Sequence, residues 1–543
     1  MGNEVDSARV RWLVLGAFSQ APAGERFHLE PGTFDRAFAA AQLRFAVRVA
    51  DRLGAAGGER VVSVAPRSLK DLTQAAVIAA DPALGALKAL GDDLGSGDAA
   101  KRPTAEAALE RIVAAVGDGI LAAEARSVLG LAAAAPAPAP AAGDAADQLF
   151  ARAEAPETGD PAKRAVSSFI ASMRPGGPAP AQSSGARKLR DAIEAALYAT
   201  AREVLADRAL AAMEGNWRSL HHVAVECPKG AGLAIEVVDL PSAGVEAVLE
   251  VDPPADPSER VDAFFVVDPV DAPERLLRIA RAAELALAPA VVTVSHALFG
   301  HTSAAAVPAG LEAEGGHLPE AFAALTADES SRWLCLCLNR PVVGGDGAGP
   351  ARRVAFGSPA LLVAGLLSAS YRATGSFARV LGNIGGWKAP ATARADVGRQ
   401  TQAEIPTEAF YSINAQGRAA SLGLLALGSG RDADKVMLST MPTARTARDA
   451  FPLAAQLLCG RIVRFAQWVR DQVPEGATTD DVRTLFVEAA RVFLFPSLAE
   501  GGAVFDAEVM EQDGKREVRV GAQLKAEHAG VPLQLAFGLP LYY

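Results

Sequence analysis

Four cysteines in 543 residues, Cys227, Cys335, Cys337 and Cys459, are too few and too scattered to staple a fold. That excludes a disulfide scaffold and fits a reducing compartment. Aromatic residues make up only 6%, and the hydrophobic half of the composition is mostly Ala, Val and Leu. No stretch reaches the ~18 to 20 uncharged apolar residues that a membrane span needs, so a soluble protein without membrane insertion is expected. The formal net charge is −10, and no dense Lys/Arg cluster is interleaved with aromatics. Without a concentrated positive footprint, nucleic acid is not an expected partner. The opening residues MGNEVDSARVRW carry charges where a secretory signal needs an apolar core, and Asp6 stands where a myristoylation signal has Ser or Thr. The expectation is a cytoplasmic protein.

Catalytic machinery is missing too. Gly344 to Gly349 has neither the G-x-x-x-x-G-K-[ST] order of a phosphate loop nor the G-x-G-x-x-G of a dinucleotide turn, and Gly428 to Arg431 fails the same test. No G-x-S-x-G elbow stands out. Cys335 and Cys337 share one strand face, as metal ligands do, but lack a second Cys pair or His-x-x-x-His, which favours core packing. His221 and His222 are adjacent and face apart on a helix. Asp252, Asp256, Asp268 and Asp271 lie among prolines in what read as exposed connections. No catalytic, cofactor or metal residues are expected, and an α/β enzyme with an unrecognised site is the least favoured alternative.

What is present is periodic. From Lys188 to His222, Leu189, Ile193, Leu197, Val204, Leu210, Met213, Trp217 and Leu220 recur mostly at three- and four-residue steps, which predicts one long amphipathic helix. Near its end Glu214 precedes Arg218 by four residues, the favourable order for an ion pair, beside Trp217. Earlier, strands are predicted over 9–18, 45–49 and 59–64, with helices over 34–41, up to about 90, and 104–131. Later, strands over 233–238, 263–267, 290–294 and 333–338 alternate with helices such as 273–286 and 318–325, the pattern of an α/β domain with a largely parallel or mixed sheet. Helices 359–373, 453–472 and 478–495 follow, then strands 503–510, 516–524 and 532–537. The fold class is α/β (α+β mixed), in roughly three or four domain-sized units by length. Ala132 to Gly143, AAAAPAPAPAAG, cannot propagate a helix and reads as a semi-rigid linker.

The octapeptide Glu214-Gly215-Asn216-Trp217-Arg218-Ser219-Leu220-His221 resembles the E-x-x-W-R-G-L-H signature of the large sheath subunit (TssC) of the bacterial type VI secretion system, with Ser219 in place of Gly. On the residues alone Trp217 also reads as a plain core anchor and Glu214/Arg218 as a solvated pair. Gly385-Gly386, after Gly382-Asn383-Ile384, resembles a family Gly-Gly loop and also reads as a simple φ > 0 turn. Residues 10 to 95 resemble the small sheath subunit (TssB) through Leu15-Gly16-Ala17-Phe18-Ser19, Thr33-Phe34-Asp35 and Ser68-Leu69-Lys70-Asp71-Leu72, though only Met1 to Ala8 stand where that family has an N-terminal arm. The expected layout is a small-subunit-like domain at 1–131, the linker at 132–143, N-terminal helices and a break of the large-subunit-like half at 144–185, and large-subunit-like domains at 186–543.

The resemblance implies a structural protomer of a helical contractile sheath, whose partners are copies of itself, an inner tube protein and baseplate components. It places Glu214, Trp217, Arg218, Leu220, Gly385 and Gly386 in structure and assembly, and strands 516–524 and 532–537 in exchange with neighbours. Leu149 and Phe150 stand where the family is recognised by an AAA+ disassembly ATPase, or simply in a docking helix. A non-contractile filament of sheath ancestry is the alternative.

Overall fold

Apolar runs without alternation belong to sheet covered on both faces. Residues 12–15, 263–266, 290–292 and 334–338 are such runs. In the computed structural model they form the middle of one sheet. The structure describes residues 10–131 and 184–541, apart from 55, 99, 252–253, 255–258, 314–319, 399–400, 495–502 and 513–514. The linker, Leu149, Phe150, Asp252 and Asp256 lie outside the described residues.

In chain order the strands are β1 (Val10–Gly16), β2 (Glu25–Leu29), β3 (Phe45–Ala50), β4 (Glu59–Val64), β5 (Leu233–Asp239), β6 (Ala263–Val266), β7 (Ala290–Thr293), β8 (Leu334–Leu338), β9 (Val342–Asp346) and β10 (Arg353–Phe356). They continue with β11 (Trp387–Lys388), β12 (Ala393–Asp396), β13 (Gln402–Ile405), β14 (Leu424–Ala426), β15 (Gly428–Ser429), β16 (Lys435–Met437), β17 (Ala503–Gln512), β18 (Lys515–Leu524) and β19 (Leu533–Pro540). The main helices are α1 (Phe34–Ala40), α2 (Pro82–Gly95), α3 (Ala105–Val116), α4 (Ile120–Leu129), α5 (Ser184–Leu205), α6 (Arg208–Glu226), α7 (Pro273–Ala286), α8 (Pro359–Thr374), α9 (Leu453–Asp471) and α10 (Thr479–Phe493).

Two compact units result, and they cut across the linker-defined halves: one holds residues 1–47, 63–76 and 205–543, the other 48–62 and 77–204. In the first, a seven-stranded sheet has the order β14-β8-β7-β6-β1-β5-β2. Its strands are parallel except β2, which runs antiparallel to β5. The first strand is central: Val10 pairs with Leu233 on one side and Trp12 with Ala263 on the other. One face packs Leu13, Leu15, Phe264, Val266, Val292 and Leu336 against Leu276, Ile279 and Ala283 of α7. On the other face the Trp12 indole donates to Ser368 Oγ of α8 at 2.9 Å and meets Phe265 edge-on. Helices on both faces explain why these strands carry no polar alternation.

The same unit ends in an antiparallel sheet, β17-β18-β19, where alternation reappears. Val518, Val520 and Ala522 point inward, while Arg519 and Gln523 point to solvent. Because β18 is hydrogen-bonded on both sides, residues 516–524 have no free edge for a neighbour, which corrects their expected role in exchange; the free edges belong to β17 and β19.

In the second unit α5 buries Leu189, Ile193, Leu197, Ala201 and Val204, five of a helical stripe. Gly119 is required there, since a Cβ would sit 2.1 Å from the Gly54 carbonyl oxygen. Two predicted helices are each two. The long one breaks before Asp207, whose carboxylate caps α6 by accepting from the N–H groups of Ala209 and Leu210. The 104–131 helix breaks at Gly117, with φ of +81°.

Candidate functional site

The E-x-x-W-R end of α6 is buried, and each of its side chains has a distinct partner. Trp217 is 1% exposed. Its indole N–H donates to the Phe18 carbonyl at 2.9 Å, and its ring lies 5.1 to 6.4 Å from those of Phe18, Phe27, Phe34 and Phe38. Three contacts are edge-on or nearly so and Phe27 is stacked, arrangements favoured by the ring quadrupole. All four phenylalanines come from the first forty residues of the chain.

Glu214 is fully buried, so the Glu214/Arg218 pair is not a solvated one. Its carboxylate accepts from Arg218 Nε at 2.7 Å and from both terminal nitrogens of Arg353, one at 3.3 Å. Arg218 also donates to the carbonyls of Leu69 and Leu72 at 3.3 and 3.2 Å, and Arg353 to that of Leu205 at 3.3 Å. A buried carboxylate tolerates such a site only when paired and hydrogen-bonded, and two guanidiniums meet both conditions. The network ties α6 to residues 69–72 and to the β9–β10 hairpin. Leu220 is buried in the core.

Ser219, the departure from the family pattern, is accommodated locally. Its hydroxyl donates to the Gly215 carbonyl at 2.7 Å and accepts from the Ser358 N–H at 2.9 Å. A Cβ at Gly357 would lie 2.1 Å from that hydroxyl, so the glycine there makes room for it.

Asn216 was not singled out by sequence. It lies where the sheet order reverses, at the carboxyl ends of β1 and β6, the place where open α/β sheets hold ligands. Here protein groups fill it. Asn216 Nδ2 donates to the Ala17 carbonyl at 3.0 Å and to Asp268 at 3.2 Å; Asp268 accepts from Ala17 N–H, and Asp239 from those of Phe18 and Ser19. Burial raises the Asp268 pKa above the usual carboxylate range, partly offset by these donors. A short side chain in the middle of a helix gave no periodic signal by which to find it.

Gly385 and Gly386 occupy close approaches rather than φ > 0 turns. A Cβ at Gly385 would fall 2.2 Å from the Val380 carbonyl carbon, and one at Gly386 2.8 Å from the Val436 carbonyl oxygen. The positive φ in this loop is at Gly382, and Ile384 is displayed 88% exposed at its tip. The loop leads into Trp387, whose ring lies 5.0 Å from His222 of α6. Burial, with the neighbouring His221, lowers the His222 pKa to about 4. Among the described residues its Nε2 has no hydrogen-bond partner, and it would lie 2.4 Å from a Cβ at Gly365.

Cys335 and Cys337 are fully buried in β8 with sulfurs 3.8 Å apart, and burial pushes the Cys337 thiol well up. A thiol held protonated is a poor metal ligand. Among the described residues no group of three or more His, Cys, Asp or Glu is placed to hold a metal ion, and no helix is long and apolar enough to cross a membrane.

No protein-family model matches the sequence, and no curated protein matches it. Solved structures do. An anti-feeding prophage helical sheath in the contracted state is 15% identical, covering 57% of this chain and 77% of that one, with a TM-score of 0.32. The contracted sheath complex of an extracellular contractile injection system is 12% identical, with coverage of 59% and 76% and a TM-score of 0.31. A sheath tail protein from Listeria innocua is 9% identical, with coverage of 51% and 61% and a TM-score of 0.26. At that level of agreement the likenesses carry no argument about this chain's function.

Proposed function

We propose that this chain is a structural protomer of a contractile-type sheath, with small and large subunits of the type VI class fused in one polypeptide, assembling helically around an inner tube. The observation that supports it is the socket of Trp217. The signature end of α6 comes from the half that resembles the large subunit; Phe18, Phe27, Phe34, Phe38, Leu69 and Leu72 around it come from the half that resembles the small one. β1 adds to the same interlock by lying between β5 and β6. Two segments joined this way depend on each other, and fusion holds their ratio at one to one with a high effective concentration.

Work in such a protomer is mechanical: neighbours rearrange from a stretched lattice to a shorter one while staying linked. Links of that kind suit edge strands, whose unpaired N–H and C=O groups a neighbour completes. Among the described residues β17 and β19 are the edges of the C-terminal sheet, and heterologous contacts that do not close give a helix. The inner tube, baseplate components and an AAA+ ATPase reading Leu149 and Phe150 are partners under this proposal. Electron microscopy of the purified chain tests it: tubes or filaments are expected, and deletion of residues 532–543 is expected to leave soluble protomers that do not polymerise. Only globular monomers across salt and protein concentration would sink the proposal, and tubes of one fixed pitch under every condition would make the assembly a static filament.

A further inference from the structure

At the base of the β3–β4 ribbon the described surface opens into a cleft of about 490 Å³, lined by Ala39, by Gln42 to Ala46 and by Ser63 to Arg67. Its floor is apolar: Leu43, Phe45 and Val64 are buried side chains. Its rim carries two exposed arginines, Arg44 and Arg67. Neither guanidinium has a carboxylate partner among the described residues. Gln20 bonds only the main chain of Arg44, and Asp71 takes the main-chain N–H of Arg67. An apolar floor with two uncompensated cations at its rim is complementary to an extended segment that alternates carboxylates with apolar side chains.

The chain carries acidic and apolar side chains together on the outer face of β17, where Val504, 66% exposed, stands beside Asp506 and Glu508, while the intervening Ala507 is buried in its own core. β17, AVFDAEVMEQ, has three carboxylates and no basic residue, and one side of it is an open sheet edge. Asp506, Glu508 and Glu511 are exposed, with Asp506 shared with Arg483 at 3.0 Å and Glu508 and Glu511 opposite Arg519 and Arg516 in register. β17 does not line the cleft of its own molecule, so the two surfaces can meet only between copies. We infer that the Arg44/Arg67 cleft of one copy receives the acidic β17 edge of a second copy. The contact is heterologous, joining unlike surfaces, and repeats without closing into a dimer. It rests on the polymer proposed above and names one of its contacts.

The probe is a fluorescent synthetic peptide of residues 503–512, titrated with the full-length chain. Saturable binding is expected, weaker at about 500 mM than at about 50 mM salt because rim charges are screened. Arg44→Glu combined with Arg67→Glu is expected to weaken it about tenfold, the scale of two exposed ion pairs. A peptide carrying Asp506→Asn, Glu508→Gln and Glu511→Gln is expected to lose binding to the same degree. Both arginines are exposed, so the variant keeps its fold. Absence of peptide binding, or equal binding by the arginine variant, overturns the contact. Filaments of the arginine variant as abundant as wild type overturn it as well, while leaving the polymer itself intact. The titration decides the contact whether or not filaments are seen.

Discussion

Lowering the pH should loosen this protein through His222, and the size of the effect follows from its surroundings. The imidazole is wedged between Gly365 of α8 and the Trp387 ring, with Nε2 unpartnered among the described residues. Protonation there places a proton on an Nε2 that is shut off from solvent with no acceptor among those residues, and burial, with His221 beside it, lowers the pKa from 6.5 to about 4. The unfolded chain therefore takes up the proton first as pH drops. Stability conferred by the neutral ring is complete above about pH 6.5, declines as pH falls toward about 4, and changes no further below that. A shift of that size corresponds to about 3 kcal/mol at 1.36 kcal/mol per unit. His222→Leu keeps an apolar group against Trp387 and cannot charge. Urea unfolding of wild type and variant, followed by circular dichroism from pH 7.5 to about 4, isolates the contribution, because other titrating groups are common to both. The variant should gain about 3 kcal/mol on wild type across that range. Parallel stability curves would refute the argument, showing either that the ring is solvated or that it finds an acceptor.

Trp217→Ala should cost about 3 to 5 kcal/mol, since it empties a socket of four phenylalanines and leaves the Phe18 carbonyl without its donor; denaturant melts read it directly. Glu214→Ala should cost a similar ~3 to 5 kcal/mol by stranding Arg218 without its carboxylate and leaving Arg353 only that of Asp346, 3.6 Å away, and Glu214→Gln should recover only part of it. Residues 1–131 expressed alone should be insoluble, because β1 lacks β5 and β6, and co-expression with 144–543 should rescue them. A monomeric, cooperatively melting 1–131 fragment would contradict the interlock.

The apolar pattern of the chain determined much by itself. Leu189, Ile193, Leu197, Val204, Leu210, Trp217 and Leu220 announced a buried helical stripe, and all of them are buried. The apolar runs at 263–267, 290–294 and 333–338 announced strands of a largely parallel or mixed sheet, because a local run reports the polarity of its own surroundings. What a run does not report is its partner. That β1 lies between β5 and β6, that four phenylalanines near the N-terminus surround Trp217, and that Arg353 reaches Glu214 are pairings across 139 to 251 residues of chain. Tertiary packing alone decided them, and with them whether Glu214 and Arg218 are a surface pair or a buried junction. It also decided where the long helix breaks, since Asp207 becomes a cap only when the chain turns there, and which C-terminal strands have a free edge, since nothing in the sequence of β18 distinguishes a central strand from its neighbours.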